Sequence, residues 1–191
     1  MVRTYKVLYT LSYERPRWAI QLCKLGQETA LRSHSEHITK VSIDNVWGEY
    51  GKKRIADLVA EHKHQCPEVE ELVNGFRGCE RTLKRDVLFD WINRKICNHM
   101  APRIEGSSTR SPREIAHFLY RIGFIVARSE EGEQYEHYRF DQMPDFLSAR
   151  TNEDFNVKWE IHPCYREALD ITKINRSHKE RFCRLRAGDN Y

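Results

Sequence analysis

The 191-residue sequence predicts a mainly α-helical fold with one small β-hairpin. Three observations carry that expectation: apolar residues at helical spacing along most of the chain, one well-capped amphipathic segment at residues 111–122, and a pair of strand-like runs directly after it. Hydrophobic residues make up 40% and charged residues 31% of the chain, with aromatics at 11%, a balance that supports a packed core and excludes a disordered chain. The length admits one large or two small domains.

Each element has a local reason. Pro16 stands where a first helical residue would, and residues 17–32 put Ala19, Leu22, Cys23 and Ala30 on one stripe and Trp18, Leu25 and Thr29 on another. A second helix is expected after Ser42 with Val46, Trp47 and Tyr50. Gly51 then opens a run with Ile55, Leu58 and Val59, and Gly48 and Gly51 leave open whether these form one helix or two. Pro67 opens a helix over 67–76, residues 80–82 suit a short strand, and residues 84–98 form a longer helix with Leu88, Trp91, Ile92 and Ile96 inward. Residues 101–110 read as a loop.

The segment from 111 to 140 is the most informative. Ser111 is an N-cap, Pro112 suits the first helical position, and Glu114 completes a capping box. Ile115, Phe118, Leu119 and Ile122 make the buried stripe, and Gly123 takes the left-handed conformation that ends the helix. Residues 124–127 and 135–140 then read as strands around a polar turn at 130–134 that contains Gly132. A short strand and three helices, the last feeding a hairpin, are the pieces a winged-helix domain requires, and one is expected here. The expected organisation is a helical, lid-like bundle at 1–64, a winged-helix domain with a C-terminal extension at 65–171, and a basic tail at 172–191. That tail holds Lys173, Arg176, Lys179, Arg181, Arg184 and Arg186 against Glu180 and Asp189, and is expected to be solvated and mobile.

Several function classes find no support. No apolar run approaches the roughly 20 residues of a membrane helix, and the first residues lack a signal-peptide core, so a cytoplasmic location is expected. Six cysteines without a CxxC pair read as reduced, structural thiols. No GxxxxGK[ST] is present: Gly48 to Lys53 lacks the glycine spacing and the hydroxyl, and Val87 to Asp90 has helical flanks that do not suit a Walker B strand. His62, His64 and Cys66, like Cys97 with His99 and His162 with Cys164, lack the paired spacing of a zinc motif, so no metal is expected. Nothing beside Cys66 or Cys164 matches a catalytic signature, and no enzyme or resident cofactor is expected.

Two stretches resemble a known family. Residues 8–24, LYTLSYERPRWAIQLCK, and residues 118–171, which include FLYRIGFIVAR, YEHYRF and WEIHPCYREALDI, are similar to the carboxy-terminal region of bacterial P-loop ATPases of the STAND and AAA+ kind. There an RPR-type motif opens a lid helix, a small helical bundle follows, and a winged helix precedes an extended HP…AL segment. The resemblance implies a non-catalytic regulatory module acting on a P-loop ATPase core or a protein effector, with ATP bound on that partner. It also implies that Arg17, and secondarily Arg15, senses the nucleotide, a role suited to a planar, permanently charged guanidinium.

A winged helix raises the alternative of a free-standing DNA-binding regulator. Arg113, His117, Tyr120 and Arg121 are expected on the face of the last helix opposite its apolar stripe, where they would meet DNA or a protein partner. Glu130, Glu131 and Glu133 put negative charge at the hairpin tip, where a wing approaches phosphates, and that favours protein contacts.

Overall fold

The computed structural model describes residues 15–107, 111–131, 134–147 and 157–171 and has a mainly α architecture with a small four-stranded antiparallel sheet. Helix α1 (Pro16–Arg32) begins with Pro16 at its first position, and its buried residues Trp18, Leu22, Leu25, Gly26 and Ala30 form one stripe where two were expected. That stripe packs on α2 (Lys40–His62).

Helix α2 runs unbroken through Gly48 and Gly51. It starts earlier than expected because Thr39 is the N-cap: the Ser42 amide donates to Thr39 Oγ1 at 3.2 Å and the Thr39 amide donates to Ser42 Oγ at 3.3 Å. Gly51 is needed for close approach. A Cβ there would lie 2.7 Å from the Cys164 carbonyl oxygen and 3.0 Å from Ala168 Cβ.

Helix α3 (Val69–Asn74) is shorter than the expected 67–76 and buries Val69, Leu72 and Val73. Strand β1 (Thr82–Lys84) leads into α4 (Arg85–Ile92), which widens into a π turn at Asn93–Cys97. Leu88, Ile92 and Ile96 are buried there as expected, and the half-buried Trp91 donates its Nε1–H to the Gly75 carbonyl at 3.1 Å. The Val87 to Asp90 stretch is therefore helical. Helix α5 (Pro112–Arg121) has the expected N-cap, Ser111 Oγ accepting from the Glu114 amide at 3.3 Å, but not the full capping box, the Glu114 carboxylate accepting from Ser107 Oγ. Gly123, at φ 74°, closes it: its amide donates to Tyr120 and the Phe124 amide to Leu119.

Strands β2 (Ile125–Glu131) and β3 (Gln134–Tyr138) form the expected hairpin, with Glu130, Glu131 and Gln134 of the expected turn paired in the strands instead; β3 is an edge and does not reach β1. The sheet order is β1-β4-β2-β3, where β4 (Lys158–Ile161) comes from the segment read as an extension beyond the hairpin. Alternation along β4 sends Trp159 inward, against the rings of Tyr120 and Phe146, and turns Glu160 to the other face. The short helix α6 (Pro163–Arg166) follows at once and supplies the backbone that Gly51 meets. The core is continuous from Trp18 to Leu169, so the units expected on either side of residue 64 share it.

Substituting Gly51→Ala is expected to destabilise the protein by about 1–3 kcal/mol in urea unfolding, because a rigid carbonyl stands in the way of the added methyl. Gly48→Ala is the control: its methyl would meet only the flexible tip of Glu167 at 3.0 Å. That change is expected to be neutral or to gain up to about 1 kcal/mol of helix propensity.

Candidate functional site

The first turn of α1 carries the two arginines expected to face a nucleotide, and the fold separates their roles. Arg15 is the N-cap residue; its guanidinium lies 4.8 Å from the Trp18 ring centroid and donates to Glu61 Oε2 at 3.2 Å. Arg17 is exposed on the same turn.

Beneath them lies Arg54, a residue that the sequence reading did not single out. It is fully buried, 4.7 Å from the Trp18 centroid and 5.2 Å from that of Tyr50. It pairs with Asp57 at 2.8 Å and donates to Gln21 Oε1. Its Nε and Nη1, and the Tyr50 hydroxyl, have no hydrogen-bond partner among the described residues. Unpaired buried donors cost about 1–3 kcal/mol each, while desolvated cation–π contacts return roughly 2 kcal/mol apiece. The two contributions are of similar size, so Arg54 fixes the Trp18 indole with little net gain in stability. The signal in the sequence was its position: it falls on the buried stripe of Ile43, Val46, Tyr50 and Leu58.

The face expected on α5 is different from the helical-wheel reading. Tyr120 is buried: its hydroxyl donates to the Met143 carbonyl at 3.1 Å, and its ring packs with Phe140, Phe146 and Trp159. It is a core residue and presents nothing to a partner. His117 is half-buried, edge-on to Phe140, and burial first and the Arg121 charge second hold its imidazole below the ordinary range. Arg113 is half-buried, and Arg121 is exposed with its guanidinium 5.3 Å from the Phe118 centroid. Residues 139–147 therefore cover this face at His117 and Tyr120. Of the acidic turn, Glu130 accepts from Lys158 and pairs with Arg128 at 3.2 Å. The Glu131 and Glu133 side chains, the basic tail and residues 8–14 of the RPR stretch lie outside the described residues.

A second polar centre lies on the outer side of the sheet. Glu160, 1% exposed, accepts from Arg81 Nε at 2.8 Å, Arg166 Nη2 at 2.5 Å and His137 Nε2 at 2.7 Å, with Arg128 Nη1 3.7 Å away. Burial pushes its carboxyl up, but the His137 hydrogen bond, the Arg166 charge and the Arg81 contact outweigh it and hold the group at about 2.

His162 and Cys164, adjacent to this centre, form a close pair. His162 Nδ1 caps α6 by accepting from the Cys164 amide at 3.4 Å, and lies 2.9 Å from Cys164 Sγ. Burial first and the Arg166 charge second hold the imidazole at about 3, and burial pushes the thiol far up. Both groups are neutral, the reverse of a thiolate–imidazolium dyad. Among the described residues no three His, Cys, Asp or Glu side chains converge as metal ligands, and no helix is long and apolar enough to cross a membrane.

No family model, curated protein or solved structure matches this chain.

Two predictions follow from these centres. Replacing Arg54 by Met, which fills similar volume without orphaned donors, is expected to leave thermal stability unchanged or raised, while Arg54→Ala costs about 2–4 kcal/mol through the cavity left beside Trp18. Acid sensitivity is expected in two limbs. His162 is lowered in the folded state, so its contribution is lost as pH falls below about 6.5, and His62 and His117 act in the same sense. Glu160 is also lowered, so its contribution is present above about 4.5 and is lost as pH falls towards 2. Glu160→Gln removes only the second limb, and at neutral pH costs about 3 kcal/mol by stranding its cations; urea midpoints measured across this pH range check both statements.

Proposed function

We propose that the chain is a cytoplasmic, non-catalytic regulatory and interaction module: a helical hairpin joined to a winged-helix unit, which docks on a P-loop ATPase core and couples its nucleotide state to protein contacts. The observation that carries this reading is the covering of α5 by the chain's own residues 139–147, which buries Tyr120 and half-buries His117. A helix that reads DNA needs its outward face open to the major groove. Here the middle of that face, at His117 and Tyr120, is spent on intramolecular packing while Arg121 stays exposed, which favours the protein-docking role over the DNA-binding one.

The succession of β1, α4, α5 and the β2–β3 hairpin supports the winged-helix assignment, with β4 interposed between β1 and β2 as its departure from the simple three-stranded form. The nucleotide-facing role falls to Arg17. Arg15 is held by Trp18 and Glu61, whereas Arg17 is exposed at the mouth of the same helix. Arg15 then acts as a positioning residue for that turn, and ATP belongs to the partner.

A photo-crosslinking residue in place of Arg17, used in the source cells, tests the reading. The expected adduct, identified by mass spectrometry, is a P-loop protein, with its yield changed by ATP depletion. Adducts confined to nucleic acid, or ATP turnover by the purified chain, overturn the proposal.

A further inference from the structure

Paired residues of an antiparallel sheet project to the same face, and the register here aligns basic residues across all four strands. Lys84 of β1 stands opposite Lys158 of β4, Lys158 opposite Arg128 of β2, and Arg128 opposite His137 of β3. At a strand spacing of about 4.8 Å the row spans about 14 Å. Like charges directly opposite one another destabilise a sheet. The row is only partly offset: Glu130 holds Lys158 and Arg128, and the buried Glu160 holds Arg81, Arg166 and His137. Among the described residues, Glu130 and Glu160 are thus the carboxylates that pair with Lys158, Arg128, Arg81 and Arg166. Lys84 is exposed, and the side chains of Lys158, Arg81 and His137 are 39%, 41% and 42% exposed against 21% for Arg128, so the row is accessible to a partner except at its more buried Arg128.

We propose that this outer sheet face is a docking surface for the acidic side of a helix on a protein partner. Carboxylates at i, i+4 and i+8 of a helix stand roughly 5–6 Å apart, close to the pitch of the cationic row, so one helix laid across the strands places successive acids over successive cations. The exposed Glu130 beside the row selects against a polynucleotide, whose backbone offers phosphates at every step. A helix can present a neutral residue at that point. The surface is formed by the sheet and owes nothing to the Arg17 contact, so either interaction can fail alone.

Titration calorimetry at low ionic strength with an alanine-based helical peptide carrying Glu at i, i+4 and i+8 tests this surface. Binding is expected to weaken with added salt and to vanish for the Gln counterpart of the peptide. The Lys84→Glu, Lys158→Gln double variant is expected to raise Kd about tenfold, and Lys84→Gln alone, at an exposed strand end, a few-fold; circular dichroism verifies the fold of both. Absence of binding, equal affinity for the Gln peptide, or unchanged affinity in the folded variants overturns the proposal. So does tighter binding of a duplex oligonucleotide that is lost in the same variants.

Discussion

A carboxylate buried in the middle of the sheet is the constraint on which the remaining structure depends. Taking Glu160 out of water costs several kcal/mol, and only several charge-assisted hydrogen bonds together offset it. Those bonds come from Arg81 before β1, His137 of β3 and Arg166 of α6, so none of these elements reaches its place independently of the others. The position of β4 follows. Only an inner strand puts one side chain within reach of both edges of a four-stranded sheet, and β4 lies between β1 and β2.

The same four-residue helix that delivers Arg166 also anchors the helical hairpin. An isolated helix of this length does not form in water; α6 is held by the His162 cap, by the Arg166 hydrogen bond to the Ile161 carbonyl at 2.7 Å, and by α2 lying against it at Gly51. Buried Arg54 and Tyr50 lie on α2 on either side of that close approach. The cationic stack at the start of α1 and the carboxylate centre of the sheet are thus joined through one short piece of backbone.

The elements legible in the sequence were those whose determinants are local. The α5 cap and stop, the hairpin after Gly123 and the inward residues of α4 all lie within a few positions of the contacts that define them. What was missed depends on distant partners. The run at Lys158–Ile161 is four residues long and carries a buried glutamate, so it has no plain alternation, and its ligand Arg81 is 79 residues away. Tyr120 was assigned to the outer face of α5 because a helical wheel knows nothing of residues 139–147, which return to cover it. Gly51 suggested a helix break, since glycine lowers helix propensity, whereas here the missing Cβ makes room for another backbone. Arg54 was visible as a charge on an apolar stripe, and that local conflict marks a fully buried side chain with two unpaired donors among the described residues.

These contacts also limit the internal motions open to the fold. A hinge between the helical hairpin and the sheet unit would need a second packing of α2 against α6 of similar free energy. With the Gly51 contact leaving no room for a methyl, and with one core running beneath both units, sliding there opens voids and exposes Arg54, whose burial depends on Trp18 and Tyr50 staying in place. Motion of the whole body involves none of those losses. On the proposed docking at Arg17, a change there would be passed on by rotation of the whole body as a rigid unit, which would displace the sheet face without altering its internal register.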